Sequence, residues 1–296
     1  MSNSSPRAPA GVAGADPDTW YGVAPPTSLE PIRDPDTAPL RISPSRLHAL
    51  EQCQLDWVIG DLGGDPGTAV QGLGTLLHAA LEEATSADED ALWQFVADRW
   101  GQLEFDAAWV GESEARRARD LVSRLAAYLR AAARDGVELV SAEPHFEVEI
   151  PLPDAAHPAV LSGYIDRVER HLDGRVVIVD LKTGRSEATG DKAVATNPQL
   201  AAYQLAFERG AIGEVAGGIG GGAKLLVLKK TRYAPYAEPH QPPFDDETRA
   251  AFLARVDGAI RIMRRTSFEA PFEEHCRDDH VRGLCRIHTI GAVSAS

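Results

Sequence analysis

Residues 160–184 read VLSGYIDRVERHLDGRVVIVDLKTG, and the geometry of the turn in their middle fixes which side chains can meet. Val176-Val177-Ile178-Val179 is a continuous β-branched run that reads as a strand. Val160 to Arg170 alternates less cleanly but still reads as a strand. Between the two, Leu172-Asp173-Gly174 reads as a hairpin turn. A three-residue loop with Gly174 in the left-handed conformation sets Asp166 opposite Asp180, with Lys182 on the same face two residues on. Directly opposed Cβ atoms stand about 5 Å apart, close enough for two carboxylates to share a hard divalent cation. A two-residue Asp173-Gly174 turn shifts the register and sends the aspartates to opposite faces.

Two facing carboxylates repel unless a cation sits between them. Mg²⁺ held by few carboxylates keeps waters that can attack a phosphate, and an ammonium such as Lys182 can orient that water and stabilise the charge that develops. The competing reading pairs Asp166 and Asp180 with Arg167 and Lys182 as ordinary strand-end ion pairs. Outside this segment, His78 lies in a helical pattern with Leu76, Leu77, Ala80 and Leu81, where a lone histidine is commonly a packed or capped residue. Glu82, one turn later, reads as a solvated or pairing residue. Gln199 and Tyr203 share a helix face at i, i+4, within reach of a phosphate backbone, and on their own read as surface or boundary residues.

Working outward, Ser43-Pro44 offers an N-cap and an early proline to a helix carrying Leu47, Leu50, Leu55 and Trp57. Further helices are expected at about 73–86, 89–104 and 112–134, the last with Leu121, Leu125 and Leu129 four residues apart. Strands are expected at His145–Ile150 and about 223–229, and helices at about 198–210 and 245–265. The class is α/β, a mixed central sheet flanked by helices with a helical N-terminal half. Residues 1–40 hold 8 of the 20 prolines and read as a tail or linker. Gly217-Gly218-Ile219-Gly220-Gly221-Gly222-Ala223-Lys224 looks like a phosphate loop but fails on chemistry, because Lys224 leads into a strand rather than opening a helix.

The 296 residues carry 30 Lys+Arg against 44 Asp+Glu, a net charge of −14 that argues against a stand-alone basic nucleic-acid binder. Basic residues are nevertheless local: Arg116, Arg117 and Arg119; Lys224, Lys229, Lys230 and Arg232; Arg261, Arg264 and Arg265. A hydrophobic fraction of 44% excludes a largely disordered chain. No stretch is long and apolar enough for a membrane span and the start lacks a signal-peptide core, so a soluble, cytoplasmic protein is expected. Three cysteines, Cys53, Cys276 and Cys285, make a disulfide framework improbable and leave thiols or metal ligands.

Taken together, these residues resemble the RecB-like branch of the PD-(D/E)xK nucleases, which includes AddB-type and CRISPR-adaptation nucleases. The resemblance runs in order over about residues 41–288: Ser43-Pro44-Ser45-Arg46-Leu47 with Cys53, Gly74-Thr75-Leu76-Leu77-His78, Gly163-Tyr164-Ile165-Asp166-Arg167, Asp180-Leu181-Lys182-Thr183-Gly184, and Gln199-Leu200-Ala201-Ala202-Tyr203. Asp16 to Tyr21, Leu55-Asp56-Trp57 and Val176 to Gly184 look most like the nuclease domain that ends the subunits of AdnAB-type helicase-nucleases. The resemblance implies a restriction-endonuclease-like domain over 41–290, followed by a flexible 291–296. It implies a site in which His78, Asp166, Asp180 and the Leu181 carbonyl bind Mg²⁺ or Mn²⁺. Lys182 would activate the water, and Gln199 and Tyr203 would assist backbone binding and site geometry.

The implied activity is hydrolysis of DNA phosphodiesters, as an exonuclease working with a helicase in repair and recombination. Many relatives also hold a [4Fe-4S] cluster through four cysteines, which here align with Cys53, Cys276, position 279 and Cys285. Position 279 is Asp279, and Gln54 replaces the usual proline. A cluster with a substitute fourth ligand (Asp279, His280, His275 or His288), a zinc site and unliganded thiols all remain open. Two other roles fit the same resemblance, a non-catalytic DNA-guiding or scaffold subunit and a CRISPR-adaptation nuclease.

Overall fold

A computed structural model describes residues 30–62, 69–83, 86–185 and 187–269. Its centre is a five-stranded mixed sheet in the order β2 (Glu138–Ala142), β5 (Arg167–Arg170), β6 (Arg175–Lys182), β7 (Ile219–Val227), β8 (His240–Gln241). Among the described strands of this sheet only β6 and β7 pair in parallel, and a helix-bearing crossover joins them. A second sheet, β1 (Leu40–Ile42), β4 (Ala159–Tyr164), β3 (His145–Ile150), continues from it. Helices α1 (Pro44–Gln52), α2 (Gln54–Asp61), α3 (Ala69–Glu82), α4 (Glu89–Arg99) and α5 (Ala108–Arg134) make the first half helical, and α6 (Asp191–Val194), α7 (Pro198–Glu208) and α8 (Asp246–Met263) follow. This is the α/β architecture expected, a mixed sheet between helices. No helix of the described residues is long and apolar enough to cross a membrane.

β6 is continuously apolar because it is covered on both sides. Val176 and Ile178 join a core with Leu47, Trp57, Leu200, Tyr203 and Val256, whereas Val179 and Leu181 join a second with Leu77, Leu121, Leu125 and Tyr128. Full burial of each such aliphatic side chain stabilises by about 1.5–3 kcal/mol. The β5–β6 hairpin takes the odd register. Arg167 pairs with Val179 and Arg170 with Val176, while Gly174 closes the loop at φ 81° and His171 N–H donates to the Arg175 carbonyl at 2.9 Å. One step further, this register sets Asp166 against Asp180.

Several elements differ from the sequence reading. The strand expected over Val160–Arg170 is two strands in two sheets, broken at Ile165-Asp166, which explains its imperfect alternation. Across the break the chain stays paired: Ile165 N–H donates to the Pro144 carbonyl at 3.1 Å and Glu143 N–H to the Asp166 carbonyl at 3.3 Å, with Glu143 in the left-handed region at φ 49°. Such bends re-aim side chains at the rims of sheets. The helix expected from Ser43 is two helices, because Cys53 is extended (φ −156°, ψ 117°). Strands β1, β2 and β8 and helix α6 were not anticipated; each is short, and β2 is half-exposed. Within the stretch expected as a tail, Arg33 pairs with Asp61, His157 N–H donates to the Pro35 carbonyl at 3.0 Å and Leu40 is buried, so residues 30–40 are packed on the domain. Residues 1–29 and 291–296 lie outside the described residues.

Candidate active site

The end of β6 brings seven of the sequence-selected residues together. Asp180 is 1% exposed, and its Oδ1 accepts the Tyr203 hydroxyl at 3.1 Å. Its Oδ2 lies 2.7 Å from Lys182 Nζ in a close, largely buried ion pair. Lys182 Nζ also donates to Gln199 Oε1 at 2.7 Å, and Gln199 Nε2 donates to the Tyr203 hydroxyl at 2.8 Å. The four side chains thus close a ring over one face of the sheet. At the break between β4 and β5, Asp166 Oδ2 accepts the Leu181 N–H at 2.6 Å, and Asp166 Oδ1 stands 3.0 Å from His78 Nδ1. Leu181 therefore meets Asp166 through its N–H.

Local sequence explains each placement. Asn197 caps α7 by accepting the N–H groups of Gln199 and Leu200 at 2.9 and 3.1 Å, and Pro198 occupies the first turn, so Gln199 and Tyr203 emerge on one face a turn apart. α3 reaches the site through Gly74. A β-carbon there would stand 3.3 Å from Thr183 Oγ1, so the missing side chain lets the helix approach the turn after β6 and set His78, one turn on, against Asp166. Arg117 of α5 braces that turn, donating to the Thr183 carbonyl at 2.7 Å while paired with Glu114 at 3.0 Å; Arg185 also reaches Glu114, at 3.2 Å.

Burial pushes the Asp180 carboxyl above its ordinary range, opposed by Lys182 and reinforced by Asp166. Burial also works against the Lys182 ammonium, but Asp180 more than offsets it, and the lysine pKa is raised. His78 follows the same pattern: burial lowers its pKa, and the hydrogen bond and charge of Asp166 raise it further than burial lowers it. Tyr203 is pushed well up by burial beside two carboxylates, so its hydroxyl stays a proton donor.

Among the described residues, no group of three or more His, Cys, Asp and Glu side chains is arranged to hold a metal ion. The physical reason is that the expected ligands are closed on one another: His78 contacts Asp166 directly, Asp166 is also engaged by Leu181, and Asp180 by Tyr203 and Lys182. The donor set nevertheless fits a hard divalent cation. Asp180 is a buried carboxylate whose Oδ2 is countered by the Lys182 ammonium, beside a second carboxylate and an imidazole, the oxygen and nitrogen donors such an ion takes. Cys53 is buried at the α1–α2 break, whereas Cys276, Asp279 and Cys285, with His275, His280 and His288, lie outside the described residues.

Sequence reasoning named Arg117 only as part of a basic group and Glu82 only as a solvated or pairing residue, and it missed Glu143. A carboxyl hydrogen bond to Glu143 raises the Glu82 pKa. Glu143 sits at the sheet break, and only the break itself could have signalled it.

The model of the PD-(D/E)XK nuclease superfamily matches residues 41–286. The chain belongs to that superfamily, whose members are nucleases that generally use Mg²⁺ or Mn²⁺. No curated protein matches it. A crystal structure of SSO0001 is similar over 86% of this chain and 88% of its own, at 13% identity and a TM-score of 0.39.

Proposed function

We propose that this chain is a metal-dependent deoxyribonuclease of the RecB-like branch, acting as an exonuclease in DNA repair or recombination. The observation that carries the reading is the buried Asp180, ion-paired to Lys182 at 2.7 Å and opposite Asp166 and His78. His78, Asp166, Asp180 and the Leu181 carbonyl would hold Mg²⁺ or Mn²⁺, which supplies Lewis-acid polarisation of the phosphate and an activated water. Lys182, kept protonated by Asp180, orients the attacking water and stabilises charge on the transferred phosphoryl group. Gln199 holds the ammonium in place, and Tyr203 fixes the Asp180 carboxylate. The −14 charge weakens unaided grip on DNA, which favours delivery of the strand by a helicase partner.

A cysteine clasp belongs to the same reading. The Glu269 carbonyl accepts the Leu55 N–H at 3.3 Å and the Glu269 N–H reaches Gln54 Oε1 at 3.0 Å, so Glu269 is held next to the two residues that follow Cys53. An iron–sulfur or zinc site through Cys53, Cys276, Cys285 and Asp279 would tie the two ends together. Near-stoichiometric iron or zinc in anaerobically purified protein is the expected result, and a preparation that holds neither rules the clasp out.

The test of the activity is cleavage of end-labelled single- and double-stranded DNA with Mg²⁺ or Mn²⁺, comparing the unaltered chain with Asp180→Ala and Lys182→Ala. Metal-dependent cleavage lost in both variants is expected. A folded, metal-replete chain that binds DNA without cutting it would instead be a DNA-guiding subunit.

A further inference from the structure

β7 ends beside the site and runs straight into a basic loop. Leu228 N–H donates to the Lys182 carbonyl at 3.0 Å, and the Leu228 carbonyl accepts Arg124 of α5 at 2.8 Å. Lys229-Lys230-Thr231-Arg232-Tyr233 follows, so this loop is anchored on the backbone of the site lysine. It is also internally built. Thr231 Oγ1 accepts the N–H groups of Tyr233 and Ala234 at 3.2 and 2.9 Å, Thr231 N–H donates to the Ala234 carbonyl at 2.9 Å, and Ala237 returns to pair with Val227 through two bonds of 2.9 Å. Behind it, Tyr236 packs edge-on against Tyr128, with ring centroids 5.5 Å apart.

What this frame displays is not explained by packing. Tyr233 is 87% exposed, with the Arg232 guanidinium 5.4 Å from its ring centroid. Lys229, Lys230 and Arg232 are exposed, and none is ion-paired among the described residues, in a chain that is otherwise strongly acidic. Three unneutralised cations around an outward aromatic ring combine the two groups that single strands need: charge for phosphates and a π-face for a base. A duplex offers the phosphates but keeps its base faces stacked inside.

We propose that loop 229–235 is a binding site for single-stranded DNA, with Tyr233 stacking on a base and Lys229, Lys230 and Arg232 meeting phosphates of the strand that enters at Lys182. This rests on the nuclease reading and adds a substrate preference to it. Binding of fluorescein-labelled oligothymidylate and of a duplex is measured by anisotropy in EDTA, using the full chain, Tyr233→Ala, Tyr233→Phe and the triple Lys229→Gln/Lys230→Gln/Arg232→Gln. Tyr233→Ala weakens single-strand binding about tenfold, the value of one lost base stack. It leaves duplex binding where it was, and Tyr233→Phe matches the unaltered chain. The triple variant flattens the dependence of log affinity on log salt by roughly 2, as three lost single-strand phosphate contacts require. Because the ring is exposed, circular dichroism of all variants should match the parent. Single-strand binding unchanged in Tyr233→Ala, or lost equally with duplex binding, overturns the proposal. A parent that cleaves DNA while Tyr233→Ala binds normally overturns the loop alone, whereas a parent that neither cleaves nor binds overturns loop and nuclease reading together.

Discussion

Asp166 Oδ2 accepts the Leu181 N–H at 2.6 Å, a bond that ties the bend between the two sheets to the strand carrying Asp180 and Lys182. Its other oxygen faces His78. The carboxylate therefore has a positioning contact through one oxygen and a site contact through the other, and these are separable. Asp166→Asn keeps an oxygen to accept the N–H but removes the charge. Cleavage is expected to fall at least about 100-fold, beyond the loss typical of a group one step removed from a metal, with the thermal midpoint close to that of the parent. A large drop in the midpoint would assign Asp166 to folding instead.

Gly74 and Thr183 offer a steric handle on the same site. Gly74→Ala brings a β-carbon to 3.3 Å from Thr183 Oγ1, tight but accommodated by a small shift, and gains up to about 1 kcal/mol of helix propensity. Gly74→Val pushes α3 off the turn and carries His78 away from Asp166. The valine variant is expected to lose about tenfold or more in cleavage, as a small misplacement of a reacting group does. Adding Thr183→Ala should restore part of it, and strictly additive losses in that double variant would show that the contact does not couple the two residues.

Tyr203 separates positioning from substrate binding. Tyr203→Phe deletes the donor to Asp180 Oδ1 and the acceptor of Gln199 Nε2 inside a buried ring. The stability cost is about 1–3 kcal/mol, that of leaving buried polar groups without a partner. Cleavage should fall while DNA affinity in EDTA holds. An affinity loss matching the cleavage loss would place the hydroxyl on the DNA backbone.

The hairpin was legible because Leu172-Asp173-Gly174 and the β-branched run Val176–Val179 mark it locally, although they left two registers open, and Gln199 with Tyr203 was legible because helix spacing is periodic. The break at Ile165-Asp166 was not. It depends on Pro144 and Glu143, twenty residues upstream, supplying the bonds that hold it, and no local pattern announces a bond between strands. The Gly74 contact was hidden for a similar reason. A glycine in a helix reads as a weak helix former, and only the packed turn shows what its missing side chain admits. The strand over Glu138–Ala142 was missed because its residues alternate too weakly in burial to leave a period of two.

Glu169, on the sheet face opposite Asp180, carries the strongest stability prediction. It is fully buried, its Oε1 accepts Arg167 Nε at 2.7 Å and the Tyr128 hydroxyl at 2.6 Å, and its Oε2 lies 3.4 Å from Lys224 Nζ without a hydrogen bond. Burial alone would raise its pKa, but Lys224, Arg167 and Tyr128 together hold it below the ordinary glutamate value of 4.5. Lys224 has a second partner in Glu238 at 2.8 Å, whereas Arg167 has no other charged partner among the described residues. Glu169→Ala strands that guanidinium and should cost roughly 3–5 kcal/mol, the loss seen when one member of a buried pair is removed. The folded state protonates Glu169 less readily than the unfolded chain does, so this stabilisation is complete above pH 4.5 and drains away as pH falls through the depressed folded value. Glu147, Asp154 and Asp245 are depressed too, so the comparison must be with Glu169→Gln, which lacks only this titration. Urea midpoints of parent and variant, followed downward from neutral pH, should converge below pH 4.5. A gap that stays constant across that range would mean that Glu169 stabilises the fold by packing and hydrogen bonding, with no contribution from its charge.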